Sequence, residues 1–186
     1  MSYFPMMVDL EGRDVLVIGG GDEGEKKVDI LHQFGAIITL VAPKVTEKAE
    51  LLAFDYHKRE FKDSDILNGE YTVVVAATND RNLNKRISRL AYEKKIPVNI
   101  VDDADLCSFI FPAIVKERDV VCAVSSGGKS PYITQHIKKI IKNNLPEKIG
   151  IINDIMGEYR IKAKREIADV NERRIFLKKK LKEMLR

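Results

Sequence analysis

From residue 15 to residue 101 the chain alternates two hydrophobic patterns. An unbroken apolar run appears at Val15-Leu16-Val17-Ile18, and largely apolar runs at Ile37-Ile38-Thr39-Leu40-Val41, Tyr71-Thr72-Val73-Val74-Val75-Ala76-Ala77 and Pro97-Val98-Asn99-Ile100-Val101. Runs of this length without polar alternation suit strands covered on both faces. Between them, Val28, Leu31 and Phe34 recur at helical spacing, with Gly35 where a helix would end, and Leu83, Ile87, Leu90 and Ala91 mark a second helix. A polar helix over Thr46 to Leu52 and a weak strand from Tyr56 to Phe61 complete the series. Strands alternating with helices predict βαβ units, a parallel sheet and right-handed crossovers.

The pattern changes after Asp102. Ser108 to Val115 and Asp119 to Val124 read as two strands joined by the charged turn Lys116-Glu117-Arg118-Asp119. The loop Ser125-Ser126-Gly127-Gly128-Lys129-Ser130 leads into a helix from Pro131 to about Asn143, with proline at a favoured first-turn position. Leu145-Pro146 breaks it, and the rest is helical with a bend expected at Gly157. Ile151, Ile155, Tyr159, Ile167, Val170, Phe176, Leu177, Leu181 and Leu185 are too many apolar side chains for helices free in water, so they pack on the body, on each other or on a second subunit.

A chain of 186 residues, 45% hydrophobic and 32% charged, is of ordinary globular composition. No apolar run is long enough to span a bilayer, and the first residues carry no signal-peptide pattern. Cys107 and Cys122 stand alone, which fits a reducing, cytoplasmic setting without disulfides or zinc. The net charge of +4 is uneven: residues 160–186 hold eleven Lys/Arg against four Asp/Glu. A basic tail meets nucleic acid, a membrane surface or an acidic small molecule, or is a solvated helix face.

The sharpest local signal is Gly19-Gly20-Gly21-Asp22-Glu23-Gly24, a G-x-G-x-x-G between a predicted strand and a predicted helix. Gly19 permits the turn, Gly21 lets a pyrophosphate approach the backbone, and Gly24 allows close helix–strand contact. Free N–H groups at the helix start hold the phosphates. Asp22 and Glu23 suit the helix dipole but repel a phosphate, so they point aside or bind a hydroxyl. The acid that usually binds the adenosine ribose about twenty residues on is missing, and Pro43-Lys44 stands in that region. The residues leave NAD versus NADP open.

Three further segments complete a set: Ala76-Ala77-Thr78-Asn79-Asp80 with Asn84; Asn99-Ile100-Val101-Asp102 followed by Ser108-Phe109-Ile110-Phe111-Pro112; and Ala123-Val124-Ser125-Ser126-Gly127-Gly128-Lys129-Ser130-Pro131. With Phe4-Pro5 and the glycine loop, in this order, they resemble the precorrin-2 dehydrogenase family, which includes the dehydrogenase/ferrochelatase portion of sirohaem synthases. The resemblance runs from about Tyr3 to Pro146 and more loosely through the tail. It implies an α/β fold: a Rossmann-type NAD-binding domain over residues 1–112, a small β dimerisation region over 113–145, and a helical C-terminal domain over 146–186. It also implies a homodimer that oxidises precorrin-2 to sirohydrochlorin with NAD. Some members insert Fe2+ as well; the methyltransferase domain fused to some sirohaem synthases is not expected here.

The family's important aspartate falls on Asp102. The residues lead there independently, because it ends a parallel strand, where open α/β sheets place ligands, and a carboxylate there accepts a proton as a general base; capping the next turn is the other role open to it. The cofactor-binding candidates are Gly19, Gly21, Asp22, Glu23, Gly24, Pro43, Lys44, Thr78, Asn79 and Asp80; turn chemistry is an equal alternative for the last three. Asn99, Ser126, Gly127 and Lys129 are the substrate-binding candidates, the last three on a loop offering N–H donors and positive charge to acetates and propionates.

Gly128-Lys129-Ser130 imitates a P-loop, but Ala123 stands where its first glycine belongs, which argues against ATP chemistry. His32, His57 and His136 lack ligand spacing, so no stable metal site is expected. Cys107 reads as small apolar packing. A dehydrogenase alone and a bifunctional dehydrogenase/ferrochelatase share Asp102 and are not separated by sequence. A nucleotide-sensing regulator with basic helices on DNA is the alternative from another class; no helix-turn-helix pattern supports it, and neither a nucleic-acid nor a membrane partner is expected.

Overall fold

The apolar runs form the strands of a parallel sheet in the computed structural model, which describes residues 3–185. Strands β1 (Asp14–Gly20), β2 (Ile37–Val45), β3 (Asp55–His57), β4 (Val73–Ala76) and β5 (Val98–Ile100) lie in the order β3-β2-β1-β4-β5, every neighbouring pair parallel. Helices α1 (Asp22–His32), α2 (Glu47–Leu52), α3 (Ser64–Leu67) and α4 (Arg81–Glu93) make the connections. Val15 to Ile18 and Val73 to Ala76 are all buried. Because side chains alternate across a strand, these runs feed two cores. Leu16, Ile18, Val74 and Ala76 join Ile87 and Leu90 of α4, while Val15, Val17, Val73 and Val75 join Val28 and Leu31 of α1. Truncating any one of the fully buried leucines costs about 2–5 kcal/mol.

Gly35 ends α1 with φ 74°, its N–H bonded to the His32 carbonyl, and the Ala36 N–H returns to the Leu31 carbonyl. This left-handed stop releases the chain into β2. Thr46 stands at the N-cap of α2, accepting from the Ala49 N–H at 3.2 Å. The weak strand is shorter than its pattern predicted, and the four-residue helix α3 was not legible at all.

A compact unit ends at Phe111, and a second begins at Pro112. In the first, the predicted strand from Ser108 does not form. The Ser108 and Phe109 N–H groups both reach the Val98 carbonyl, and Phe109 and Phe111 turn into the α1-side core. In the second, β6 (Ala113–Glu117) and β7 (Val120–Val124) form an antiparallel hairpin whose tight turn puts Arg118 at φ 53°. Helices α5 (Pro131–Asn144), α6 (Ile149–Glu166) and α7 (Val170–Met184) follow. Gly157 lies inside α6, which continues past it without a break. The break comes at residues 167–169, where Asp169 caps α7 through the N–H groups of Asn171 and Glu172, both at 2.8 Å. The edge-to-face contact of Tyr159 and Phe176, 5.9 Å between ring centres, ties α6 to α7. Among the described residues, no helix is long and apolar enough to cross a membrane.

Candidate functional site

The strand order reverses direction between β1 and β4, and that is where an open α/β sheet leaves a crevice at its carboxyl edge. A cleft of about 1110 Å3 lies there. It is lined by Gly19, Gly20, Gly21, Asp22 and Glu23 from the β1–α1 turn, by Pro43 and Lys44 of β2, and by Thr78, Asn79 and Asp80 after β4. Nine of the ten cofactor-binding candidates therefore line one cavity.

The tenth, Gly24, lies beneath it. A Cβ at Gly24 would overlap the Gly19 carbonyl oxygen, and one at Gly19, where φ is 103°, would overlap the Ala77 carbonyl. A Cβ at Gly21 would meet nothing within 4 Å. Two glycines thus bring backbones together, while the third leaves an open approach to the backbone from the cleft. The first turn of α1 also lacks a side-chain cap, although Thr46, Asp80, Ser130 and Asp169 cap α2, α4, α5 and α7. N–H groups left open at a helix start, with the positive end of its dipole, are a place for phosphate. Glu23 turns aside to pair with Lys26. The donor set and the space fit a dinucleotide pyrophosphate.

The three residues after β4 differ in what they leave free. The Thr78 hydroxyl donates to Asn84 Oδ1 at 2.7 Å, and Asn84 returns a bond to the Thr78 carbonyl at 3.0 Å. Asp80 Oδ1 caps α4 by accepting from the Asn82 and Leu83 N–H groups at 2.8 and 3.1 Å. Asn79 lines both the main cleft and a neighbouring cavity of about 420 Å3. Glu60, Phe61 and Arg86 also line the cleft, and no sequence pattern singled them out. Arg86 is held by Asp63 at 2.7 Å.

Asp102 lines the smaller cavity with Asn79, Asn84 and Asp105. It is exposed and has φ 61°. Its turn is closed by the Asp103 N–H reaching the Ile100 carbonyl at 3.4 Å, so Asp102 takes the position where a turn demands positive φ, one that aspartate tolerates better than most residues. Cys107 holds this turn from below. Its Sγ accepts from the Ile100 N–H at 3.1 Å and faces two acceptors, the carbonyls of Ile100 at 3.2 Å and Asp103 at 3.3 Å. Burial pushes the thiol up, keeping it protonated as a donor. Cys107 is a hydrogen-bonded staple as well as packing. Asp103 pairs with Arg81 at 3.3 Å, while among the described residues no donor or cation bonds the Asp102 carboxylate.

Asn99 lines neither cavity. It is buried in β5, its amide donating to the Phe109 carbonyl at 3.1 Å, where it fixes the chain that leaves the sheet. Ser126, Gly127 and Lys129 belong to the second unit. Ser126 Oγ donates to the Ser130 carbonyl at 3.0 Å and accepts from the Ser130 N–H at 2.9 Å. Gly127 and Gly128 carry φ values of 65° and 80°. The loop is thus pre-formed ahead of α5. Sequence reading also missed Lys27, whose ammonium lies 4.6 Å from the centre of the Phe111 ring; one position before core residue Val28, it looked like a surface lysine.

Residues 6–113 match the family described as putative NAD(P)-binding. The chain is 38% identical over 182 residues to a siroheme synthase of Mannheimia succiniciproducens, covering 95% of this chain and 37% of that protein. It is 39% identical over 180 residues to one of Actinobacillus succinogenes, with the same coverage. It therefore spans less than two fifths of the length of these curated relatives. Among solved structures it resembles SirC, a precorrin-2 dehydrogenase, with TM-score 0.74 and 27% identity, over 95% of this chain and 88% of the other. The resemblance found in the motifs, and the α/β fold expected from it, are borne out.

Proposed function

Because the chain belongs to the putative NAD(P)-binding family, we propose that it is an NAD-dependent precorrin-2 dehydrogenase that produces sirohydrochlorin. The carrying observation is an uncapped helix start beneath the open face of Gly21 in the main cleft, with a partner-free carboxylate at Asp102 in the neighbouring cavity, the two cavities sharing Asn79. NAD bound along the crevice supplies the hydride acceptor. Gly19, Gly21 and Gly24 shape the phosphate seat, Pro43 and Lys44 flank the adenosine end, and Asn79 faces the end toward Asp102. Thr78 and Asp80 hold the loop that carries Asn79. As hydride leaves the macrocycle, a carboxylate oxygen of Asp102 takes the proton released with it. The overall change is precorrin-2 plus NAD to sirohydrochlorin, NADH and a proton.

Ser126, Gly127 and Lys129 are read as donors to the acetate and propionate edge, and Asn99 as a residue that positions the substrate side through the Phe109 segment. Residues 1–112, 113–145 and 146–186 serve as cofactor, dimerisation and helical domains. The homodimer is supported by α5, which has no buried residue and exposes Tyr132, Ile133 and Ile140. Two free thiols support a cytoplasmic setting. Ferrous iron insertion is the second reading, because the partner-free carboxylate of Asp102 would serve it as well; among the described residues no group of three His, Cys, Asp or Glu is placed to hold a metal ion.

The test is NADH formation at 340 nm from freshly made precorrin-2 and NAD, with sirohydrochlorin followed in parallel. Turnover supports the dehydrogenase. A protein that binds NAD and leaves precorrin-2 unchanged removes it. Sirohaem formed from sirohydrochlorin and Fe2+ above the uncatalysed rate decides the second activity.

A further inference from the structure

We propose that the Lys27 ammonium anchors one peripheral carboxylate of the tetrapyrrole beside Asp102, a subsite that deepens the dehydrogenase reading and rests on it. The placement is built. Lys27 projects from α1 over the ring of Phe111 at 4.6 Å, and Phe111 is itself braced by Phe109 at 5.4 Å between ring centres. An aromatic face thus fixes the charge, and no carboxylate does so: among the described residues none lies within ion-pair distance of Lys27. Glu23, one turn earlier on its own helix, is taken by Lys26. Lys27 is half-buried, and the loss of water outweighs the pull of Glu23 and Asp102, lowering its pKa from the ordinary lysine range.

A partly desolvated ammonium without a counter-ion is costly, and a ligand carboxylate relieves that cost. A tetrapyrrole bearing acetates and propionates on every ring brings such a group wherever its edge approaches Asp102. The like charge of Asp102 would oppose that approach, and Lys27 offsets it. The cation therefore serves substrate binding, leaving the proton to Asp102.

The experiment compares wild type, Lys27→Met and Lys27→Arg. Methionine keeps an unbranched cover on Phe111 and removes the charge. Sirohydrochlorin affinity is titrated by absorbance, NAD affinity is titrated separately, and KM and kcat are measured with precorrin-2. Lys27→Met is expected to weaken sirohydrochlorin binding about 10- to 100-fold, the range of a charge-assisted hydrogen bond. KM rises accordingly, kcat stays within a few-fold, NAD affinity holds, and Lys27→Arg restores most of the loss. Wild-type affinity falls as pH rises through the lowered Lys27 titration. In Lys27→Met that step is absent, although Glu23, Lys26, Asp102 and Cys107, the other titratable groups facing this position, all remain.

Unchanged tetrapyrrole affinity in Lys27→Met, with wild type active, overturns this subsite and leaves the dehydrogenase standing. Loss of NAD binding in both variants also overturns it, showing Lys27 to be a packing element of α1. A wild type that binds NAD but neither binds nor oxidises the tetrapyrrole overturns both readings.

Discussion

Replacing Gly21 with alanine separates binding from folding more cleanly than any other change in the crevice. Gly21 has φ −74° and ψ −171°, an extended conformation that alanine adopts freely. Its added methyl would touch nothing within 4 Å. Alanine is a poorer N-cap than glycine, but it also reduces the entropy of the unfolded chain, so the two effects oppose. The net change in stability is about 1 kcal/mol or less, which for a chain of this size shifts Tm by at most about 4 °C. Binding behaves differently, because the methyl occupies the approach of a phosphate to the start of α1. Losing one charge-assisted N–H bond there costs about 1.5–3 kcal/mol, about 10- to 100-fold in NAD affinity. Gly24→Ala is the control of opposite character. Its methyl would overlap the Gly19 carbonyl, backbone against backbone, and such overpacking costs about 1–3 kcal/mol, more than the gain in helix propensity returns. The assay is thermal unfolding beside calorimetric NAD titration. A folded Gly21→Ala protein with wild-type NAD affinity would refute the assignment of the phosphates to this turn.

Asp102→Asn should lower kcat by about 10²- to 10⁴-fold with NAD affinity retained, read from initial rates of NADH formation. Cys107→Ala removes the thiol that brackets Asp102, so kcat should fall several-fold more than KM rises, with partial recovery in Cys107→Ser; equal loss of both, or none, refutes the positioning role. Arg59→Met strands Asp65, which burial pushes up and the bonds from Arg59 and the Lys62 N–H bring below the ordinary carboxylate range. A folded-state pKa held below the unfolded value stabilises above about pH 4, and that contribution is lost as pH falls through the folded value. Urea unfolding should therefore show wild type about 1–2 kcal/mol more stable than Arg59→Met at pH 7, after allowance for Arg59 being partly exposed, with the gap narrowing below about pH 4.

The features legible in the sequence were those whose cause is local. Val15 to Ile18 had to be a covered strand because every position is apolar, and the glycine loop was readable because a turn, a close crossing and an open approach each exclude a side chain. What stayed hidden depended on distant partners. Ser108 to Phe111 has the composition of a strand, but Asn99 and Val98 claim its backbone groups and draw its aromatic rings into the α1-side core. Gly157 looked like a hinge, yet α6 passes through it, and the stop lies where Asp169 caps the next helix. Lys27 could not stand out because its meaning comes from Phe111, 84 positions away in sequence.

The sheet order also says why the main cleft and the neighbouring cavity carry different side chains. β1 sits between β2 and β4, and β5 lies one strand further out. Strands are spaced about 4.8 Å apart, so Asp102 at the end of β5 lies about 10 Å across the sheet from the glycine turn, while Pro43 and Lys44 on β2 are one spacing away on the opposite side. A dinucleotide seated by its phosphates on α1 has one half over β2 and the other over β4 and β5. The side of β2 offers proline, a lysine and the Phe61 ring, groups suited to a nucleoside and its phosphate. The side of β5 offers a carboxylate in a left-handed turn, a group suited to accepting a proton. A redox half over β2 would find no proton acceptor placed by a turn there. Under the proposed function, the asymmetry of the strand ends, set by β5 continuing the sheet past β4, would orient the cofactor before any contact with its bases is considered.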